Sequence, residues 1–443
     1  MTQFDKRNIS MMMDLYEMTM ANGYFANQQK PQKVVFDVFY RKNPDQGGYA
    51  VFAGLEQVVE YAENLHFDSA DMDYFRSLNL FSEEFLQYLK EFRFTGDIYA
   101  FPEGTVMYPN EPVITVVAPL IDAQLIETAI LTQVNHQSLI ATKASRIVRA
   151  AQGRSVSDFG AKRAHSWVMY FKDEYEAFRR YAEVYPDNVV LLVDTYDVLH
   201  SGVPNAIRVA KEVLEPMNRR LKGVRLDSGD LAYLSKKVRK MLDDAGLEDC
   251  KIVVSNSLDE YTITSILNQG GKINSFGVGE RLITAKSNSV FGAVYKISAV
   301  EENGSFVPRI KVSETVEKIT NPGLKQVYRV FGDCGQAVAD LITGAEEVDL
   351  TNPYRYVDPE KPWKNRHFEN CTAKKLQKLI VKNGRRIAPV QSLKEIRAYV
   401  KRQLDTEIWP EEQRFENPHK HYLDMSPAYY EMKMNLLDEA KNL

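Results

Sequence analysis

Four apolar runs in succession end in polar, charged or glycine residues, and this constrains the possible folds more than any other feature. Gly223-Val224-Arg225-Leu226 runs into Asp227-Ser228-Gly229-Asp230, where a helical pattern begins. Val189–Val193 leads to Asp194 and Asp197, Ile252–Val254 to Ser255-Asn256, and Phe276 to Gly277-Val278-Gly279. Each reads as a strand that delivers polar groups just past its C-terminal end. In parallel βα architectures that rim is where ligands bind and chemistry happens. A second reading also stands, because Ser, Asn and Asp cap the helices that follow strands.

The surrounding chain supports a multi-domain α/β protein. At 443 residues it exceeds one ordinary domain, so two are expected. From Gly153 to about Ala299 the pattern alternates strand, polar turn and helix, with helices expected over Asp230–Ala245 and Leu258–Gln269. A long amphipathic helix is expected over about Ala123–Ala151, stopped by Gly153. The N-terminal third is mixed. Met11–Ala26 has helical spacing, Lys33–Tyr40 alternates like a strand, and prolines at 102, 109 and 112 divide 97–117 into short strands. Strand-like Val307–Val312 and Val327–Phe331 follow, then a charged tail with helical pieces at Leu393–Leu404 and Pro427–Leu437.

Composition excludes several function classes. With 44% hydrophobic and 26% charged residues the chain has the profile of a soluble globular enzyme. A net charge of −4 gives no bulk electrostatic case for nucleic acid. The N-terminus is polar and no run approaches eighteen apolar residues, so neither a leader nor a membrane span is expected. Cys250, Cys334 and Cys371 lie far apart without metal-type spacing, as reduced cytoplasmic thiols do.

A longer series of motifs resembles the nicotinate phosphoribosyltransferase family. It comprises Asp14-Leu15-Tyr16-Glu17-Met18-Thr19-Met20, Arg41-Lys42-Asn43-Pro44, Gly48 to Leu55, and Ile140-Ala141-Thr142-Lys143-Ala144. Asp158-Phe159-Gly160, Ala164-His165-Ser166-Trp167, Arg225 to Asp230, Gly277-Val278-Gly279 and Ile319 to Lys325 continue it in family order over nearly the whole chain. The resemblance implies an irregular α/β barrel beside a smaller α/β domain built from both ends of the chain. On that reading residues 1–115, completed by about 325–443, form the smaller domain and 116–324 the barrel, with 374–443 a charged, partly helical extension. It implies attack of nicotinate on C1 of 5-phosphoribosyl pyrophosphate, giving nicotinate mononucleotide and pyrophosphate. Coupled ATP hydrolysis, Mg2+, and a homodimer with shared active sites are implied as well.

Residue by residue, an oxocarbenium-like transition state losing pyrophosphate calls for cations and magnesium around the leaving group. Asp194 and Asp197 have the chemistry for ribose hydroxyls or a magnesium-bound water, or for capping a helix. Arg225 carries a planar fork suited to a carboxylate, which the family uses for nicotinate, and could equally pair with Asp227. Asp227 and His165 are the further catalytic candidates, and Arg163, Ser255 and Asn256 join the substrate-binding set. Gly277 and Gly279 would let backbone amides approach the 5-phosphate. Glu280 stands where relatives carry a small hydroxyl residue and is expected to point away from that phosphate. Lys143 and Arg146 could hold phosphates from the long helix, or be solvated helix charges. Tyr16 resembles the tyrosine that reaches nicotinate across the dimer interface. His165 resembles the histidine that ATP phosphorylates, a role suited to a partly neutral imidazole. His136, His200, His419 and His421 have no such context.

One departure stands out. In relatives a helix and strand separate Phe-Gly-x-Arg-Arg-Ala from Ala-His-Ser-Trp, whereas here a single Ala164 serves both. A βαβ unit needs about 30 residues, and only Ala164 lies between Arg163 and His165. On one extended strand those two side chains would share a face about 7 Å apart. The barrel should then lack a strand–helix unit. A shortened relative that keeps ligand binding and dimerisation without catalysis is therefore the alternative reading. Another is a related transferase for nicotinamide or quinolinate, although the guanidinium of Arg225 favours a single carboxylate.

Overall fold

In a computed structural model of the chain, residues 8–29, 31–159, 168, 171–345 and 355–440 are described. The fusion of motifs between Arg163 and His165 lies outside them. The chain divides into two compact units, Met1–Thr142 with Val290–Leu443, and Lys143–Ser289. The boundaries read from sequence, at 115/116 and 324/325, both fall inside the first unit.

The first unit combines both ends of the chain. Its seven-stranded sheet runs in the order Ser305–Pro308, Ala293–Glu302, Lys33–Tyr40, Ile114–Pro119, Asp97–Ala100, Lys378–Lys382, Arg385–Arg386. Lys33–Tyr40 lies centrally with seven of its eight residues buried, so the strand is covered on both faces. The ten-residue strand Ala293–Glu302 has no counterpart in the sequence reading, and neither does Lys378–Lys382 within the charged tail. A buried ion pair between Lys325, at the end of the Ile319–Lys325 motif, and Asp37 fastens the two ends of the chain together. His421 is buried here too. It stacks on Tyr108 at 3.7 Å and its Nδ1 lies 2.9 Å from Glu412.

The second unit is a parallel sheet of five strands: β1 Ser155–Asp158, β2 Val190–Leu192, β3 Gly223–Leu226, β4 Lys251–Val254 and β5 Ser275–Val278. Their spatial order is β1-β5-β4-β3-β2, and every pairing is parallel. Helices Leu231–Asp244 and Glu260–Asn268 connect β3 to β4 and β4 to β5. Leu231, Ala232, Ser235, Val238 and Leu242 form the buried stripe of the first, at the spacing of one helical face. Because β1 lies beside the last strand while β2 occupies the far edge, the order is that of a barrel wall opened at one place. Among the described residues the opening falls between the two edge strands, β1 and β2, which follow one another in the chain. The irregular barrel expected from sequence is thus present as a half-barrel.

Candidate functional site

The four strand ends noted in the sequence belong to β2, β3, β4 and β5, which lie side by side. Parallel pairing sets their C-terminal ends on one edge. Some of the polar residues there cap helices. Asp230 accepts the Tyr233 N–H, Asp259 that of Thr262, and Asp197 those of Leu199 and His200 at 2.9 and 2.8 Å. Asp197 is therefore committed to its own turn, and the capping reading holds for it.

Asp194, Arg225, Asp227 and Ser255 do something else. Asp194, just past β2, accepts the Asp227 N–H at 2.8 Å and the Ser228 hydroxyl at 2.7 Å through one oxygen, Oδ2. Arg225, on β3, donates through Nε to Ser255 Oγ at 2.7 Å and through Nη2 to Asp227 Oδ1 at 3.2 Å. Ser255, at the end of β4, donates in turn to Asp227 Oδ1. Three adjacent strand ends are thus cross-linked side chain to side chain. The Arg225 and Asp227 side chains keep 21% and 34% of their surface exposed, so the pair is open to a ligand. Asn256, next to Ser255, has φ +121°, a strained backbone for a non-glycine residue; its own Oδ1 accepts the Ser257 N–H.

Phe159 was quoted in a motif without a role, and here it is central. Its N–H bonds to Val278 O at 2.7 Å, extending the β1–β5 pairing by one residue. Its ring lies 4.9 Å from the Arg225 guanidinium, at cation–π distance. It also accounts for Gly277, which sits inside β5 instead of beyond it. A Cβ at that position would come within 2.2 Å of the Phe159 ring, so the glycine makes room for an aromatic side chain. Gly279 starts a single helical turn, Glu280–Ile283. Glu280 Oε1 accepts the Ser257 hydroxyl at 2.9 Å. Only knowledge of the β1 strand end could have found Phe159, and Ser-Val-Ser-Asp is too short and polar to read as a strand.

Lys143 and Arg146 do not join this cluster. Both are 3% exposed, and both are held by Glu260, which is fully buried at the first turn of its helix. Lys143 Nζ lies 2.9 to 3.0 Å from the Glu260 carboxylate and 2.7 Å from Ser287 Oγ, while Arg146 Nε lies 2.8 Å from Glu260. A lysine enclosed in this way has no exposed face for a phosphate, which corrects the substrate-binding expectation for Lys143. Tyr16 lies in the first unit, 44% exposed on helix Leu15–Ala26. Partial burial and the neighbouring Glu127 carboxylate push its hydroxyl pKa upward. Arg163 and His165 lie outside the described residues. Among those residues no group of three or more His, Cys, Asp or Glu is arranged to hold a metal, and no helix is long and apolar enough to cross a membrane.

Comparison with known proteins gives this arrangement its relatives. Residues 11–135 match the nicotinate phosphoribosyltransferase (NAPRTase) N-terminal domain and residues 324–433 the C-terminal domain of the same enzyme. The nicotinate phosphoribosyltransferase of Bacillus subtilis is 39% identical over 480 aligned positions, covering 99% of this chain and 97% of the relative. That of Caenorhabditis elegans is 31% identical, covering 94% and 91%. The crystal structure of human nicotinic acid phosphoribosyltransferase superposes with a TM-score of 0.82 at 26% identity, over 96% of this chain and 99% of that one. The 480 positions of the Bacillus match exceed the 443 residues of the chain, so at least 37 of them hold no residue of this chain. The chain is therefore shortened internally relative to a protein it otherwise matches from end to end, and it belongs to the nicotinate phosphoribosyltransferase family.

Proposed function

We propose that the chain transfers the phosphoribosyl group of 5-phosphoribosyl pyrophosphate to nicotinate, a step of NAD salvage. The observation that carries this is the cluster at the ends of β2, β3 and β4. Arg225 is held by Ser255 and Asp227 with its guanidinium over Phe159. Such a fork binds a carboxylate, and an aromatic face beside it suits a flat pyridine ring. The nitrogen of that ring forms the new bond to C1 as the bond from C1 to pyrophosphate breaks. Arg225 orients the acceptor by its carboxylate, which favours nicotinate over nicotinamide.

Asp194 and Asp227 each use only one carboxylate oxygen in the bonds described above. Their second oxygens suit ribose hydroxyls. They also suit a magnesium ion that arrives on the pyrophosphate and keeps several waters, which needs only one or two protein carboxylates. When bound, that ion neutralises charge on the leaving group. Coupling to ATP through phosphorylation of His165 is part of the proposal, supported by its motif. So is a cytoplasmic homodimer. Leu15, Tyr16 and Met20 are exposed on helix Leu15–Ala26 and Met12 is exposed just before it, the kind of apolar surface a second copy would cover and from which Tyr16 would reach its site.

The opening between β1 and β2, with at least 37 relative positions unmatched, favours a second reading in which ligands bind without turnover. Pyrophosphate release with nicotinate, nicotinamide or quinolinate, each with and without ATP, decides between them. Release that depends on nicotinate and rises with ATP is expected. Tight phosphoribosyl pyrophosphate binding without release would leave only the second reading.

A further inference from the structure

The C-terminal part of the first unit concentrates positive charge. Residues 372–402 hold ten Lys or Arg and one acid, Glu395, a net +9 within a chain whose whole charge is −4. They form the strand Thr372–Lys375, the hairpin of Lys378–Lys382 with Arg385–Arg386 at one edge of the seven-stranded sheet, and the helix Leu393–Arg402. The one acid is committed to its own helix cap, because Glu395 Oε2 accepts the Ser392 N–H at 2.8 Å and the Ser392 hydroxyl at 2.7 Å. Arg386 and Lys401 are paired with Glu56 and Asp405. Lys378, Lys382, Arg385, Lys394 and Arg397 are exposed and make no ion pair among the described residues. Their placement sets like charges side by side. Lys382 stands opposite Arg385 across the hairpin, and Lys394 and Arg397 lie one turn apart on the helix. Both arrangements are unfavourable without an external counter-charge. Ile396 and Val400 take the inner face of that helix, against Gly104, which leaves positions 394, 397 and 401 facing outward.

Apolar surface lies in the middle of this charge. Between the hairpin and the helix the chain runs Ile387-Ala388-Pro389-Val390-Gln391-Ser392 into Leu393. Ile387, Val390 and Leu393 are 57%, 63% and 79% exposed, three large aliphatic side chains within seven residues, with unpaired cations on either side in the chain. The combination selects the partner. A small anion would use the cations and leave the aliphatic groups in water. A nucleic acid would use the cations too, but single strands are held by aromatic stacking, which Ile, Val and Leu cannot give. A bilayer surface with anionic headgroups uses both, since aliphatic side chains enter the boundary between headgroups and acyl chains while Lys and Arg meet the negative layer. We infer that this face docks the protein on an anionic lipid surface, with Ile387, Val390 and Leu393 entering the boundary and Lys382, Arg385, Lys394 and Arg397 lying at the headgroups. The protein would lie on the membrane without crossing it. None of these residues belongs to the Arg225 cluster, so the inference stands or falls separately from the proposed transfer reaction.

The test is co-sedimentation of the full chain with vesicles of phosphatidylcholine alone and of phosphatidylcholine mixed with phosphatidylglycerol. Binding to the mixed vesicles only is expected, weakening as added salt shortens the reach of the charges. Each cation near an anionic surface contributes about fivefold, so Lys382→Gln, Arg385→Gln and Lys394→Gln together should lower partitioning by about a hundredfold and flatten its salt dependence. Ile387→Ser with Val390→Ser should weaken it by about tenfold or more and leave the salt dependence as in wild type, because the lost contribution is apolar. All five side chains are exposed or at a sheet edge, so an unchanged Tm is expected for both variants. The inference is overturned if wild type binds neither vesicle or both equally, or if the charge variant binds as wild type does. It is also overturned if duplex DNA binds more tightly than the mixed vesicles, which would make the partner a nucleic acid. A change of oligomeric state in either variant, read by sedimentation velocity, would assign the face to a second copy of the chain and overturn it likewise.

Discussion

Replacing Lys143 by methionine separates a structural lysine from a substrate-binding one. Its ammonium lies 2.9 to 3.0 Å from the Glu260 carboxylate and 2.7 Å from Ser287 Oγ, and both charged partners are almost wholly buried. Breaking a buried pair costs about 3–5 kcal/mol because the remaining charge is left uncompensated. Here Arg146, 2.8 Å from Glu260, still balances the carboxylate, so the lower end applies, about 3 kcal/mol. For a domain of this size each kcal/mol moves Tm by about 2–4 °C, giving a fall of roughly 6–12 °C. Scanning calorimetry of Lys143→Met supplies the first measurement, and the KM for phosphoribosyl pyrophosphate in the surviving folded protein supplies the second. The expected outcome is a large loss of Tm with KM changed less than about threefold, because a charge held away from the substrate adds no binding energy. An unchanged Tm with a KM raised by about tenfold or more would refute the argument and return Lys143 to the phosphate site.

Arg225→Ala should raise the KM for nicotinate by roughly tenfold to a hundredfold, the loss of one charge-assisted pair of about 1.5–3 kcal/mol, and leave that for phosphoribosyl pyrophosphate nearly unchanged. Equal rises in both would show that Arg225 serves the fold and not the acceptor. Asp122 is 4% exposed, and burial pushes its carboxyl up to about 6, against hydrogen bonds from Thr95 that act the other way. The folded state then holds this proton more tightly than the unfolded state, so its contribution is most favourable below the unfolded pKa. That contribution is lost as pH rises from about 4 to about 6. Two pKa units correspond to about 3 kcal/mol, so Asp122→Asn should gain on wild type by up to that amount between pH 4 and pH 7. Urea unfolding at the two pH values reads the gain, and a constant difference between the proteins would contradict it.

Much of the fold was legible because period and punctuation are local. The alternation of Val224 and Leu226 before Asp227-Ser228-Gly229, and the face formed by Leu231, Val238 and Leu242, mark a strand and the helix after it without tertiary information. The helices read over Asp230–Ala245 and Leu258–Gln269 differ from Leu231–Asp244 and Glu260–Asn268 only at their ends. The ordered motifs also carried the family. Three things required the tertiary structure. Whether a strand-end aspartate caps a helix or links to its neighbour depends on which strand lies beside it, so Asp197 and Asp194 look alike in sequence and differ in space. Lys143 reads as a solvated helix charge until Glu260, more than a hundred residues later, is brought against it. Gly277 suggests a phosphate turn, yet the Phe159 ring that fills the space beside it comes from the other end of the unit. Sequence encodes what each residue prefers along its own strand or helix; a site is made of side chains from separate elements, and only the packing of β2, β3, β4 and β5 edge to edge decides which of them meet.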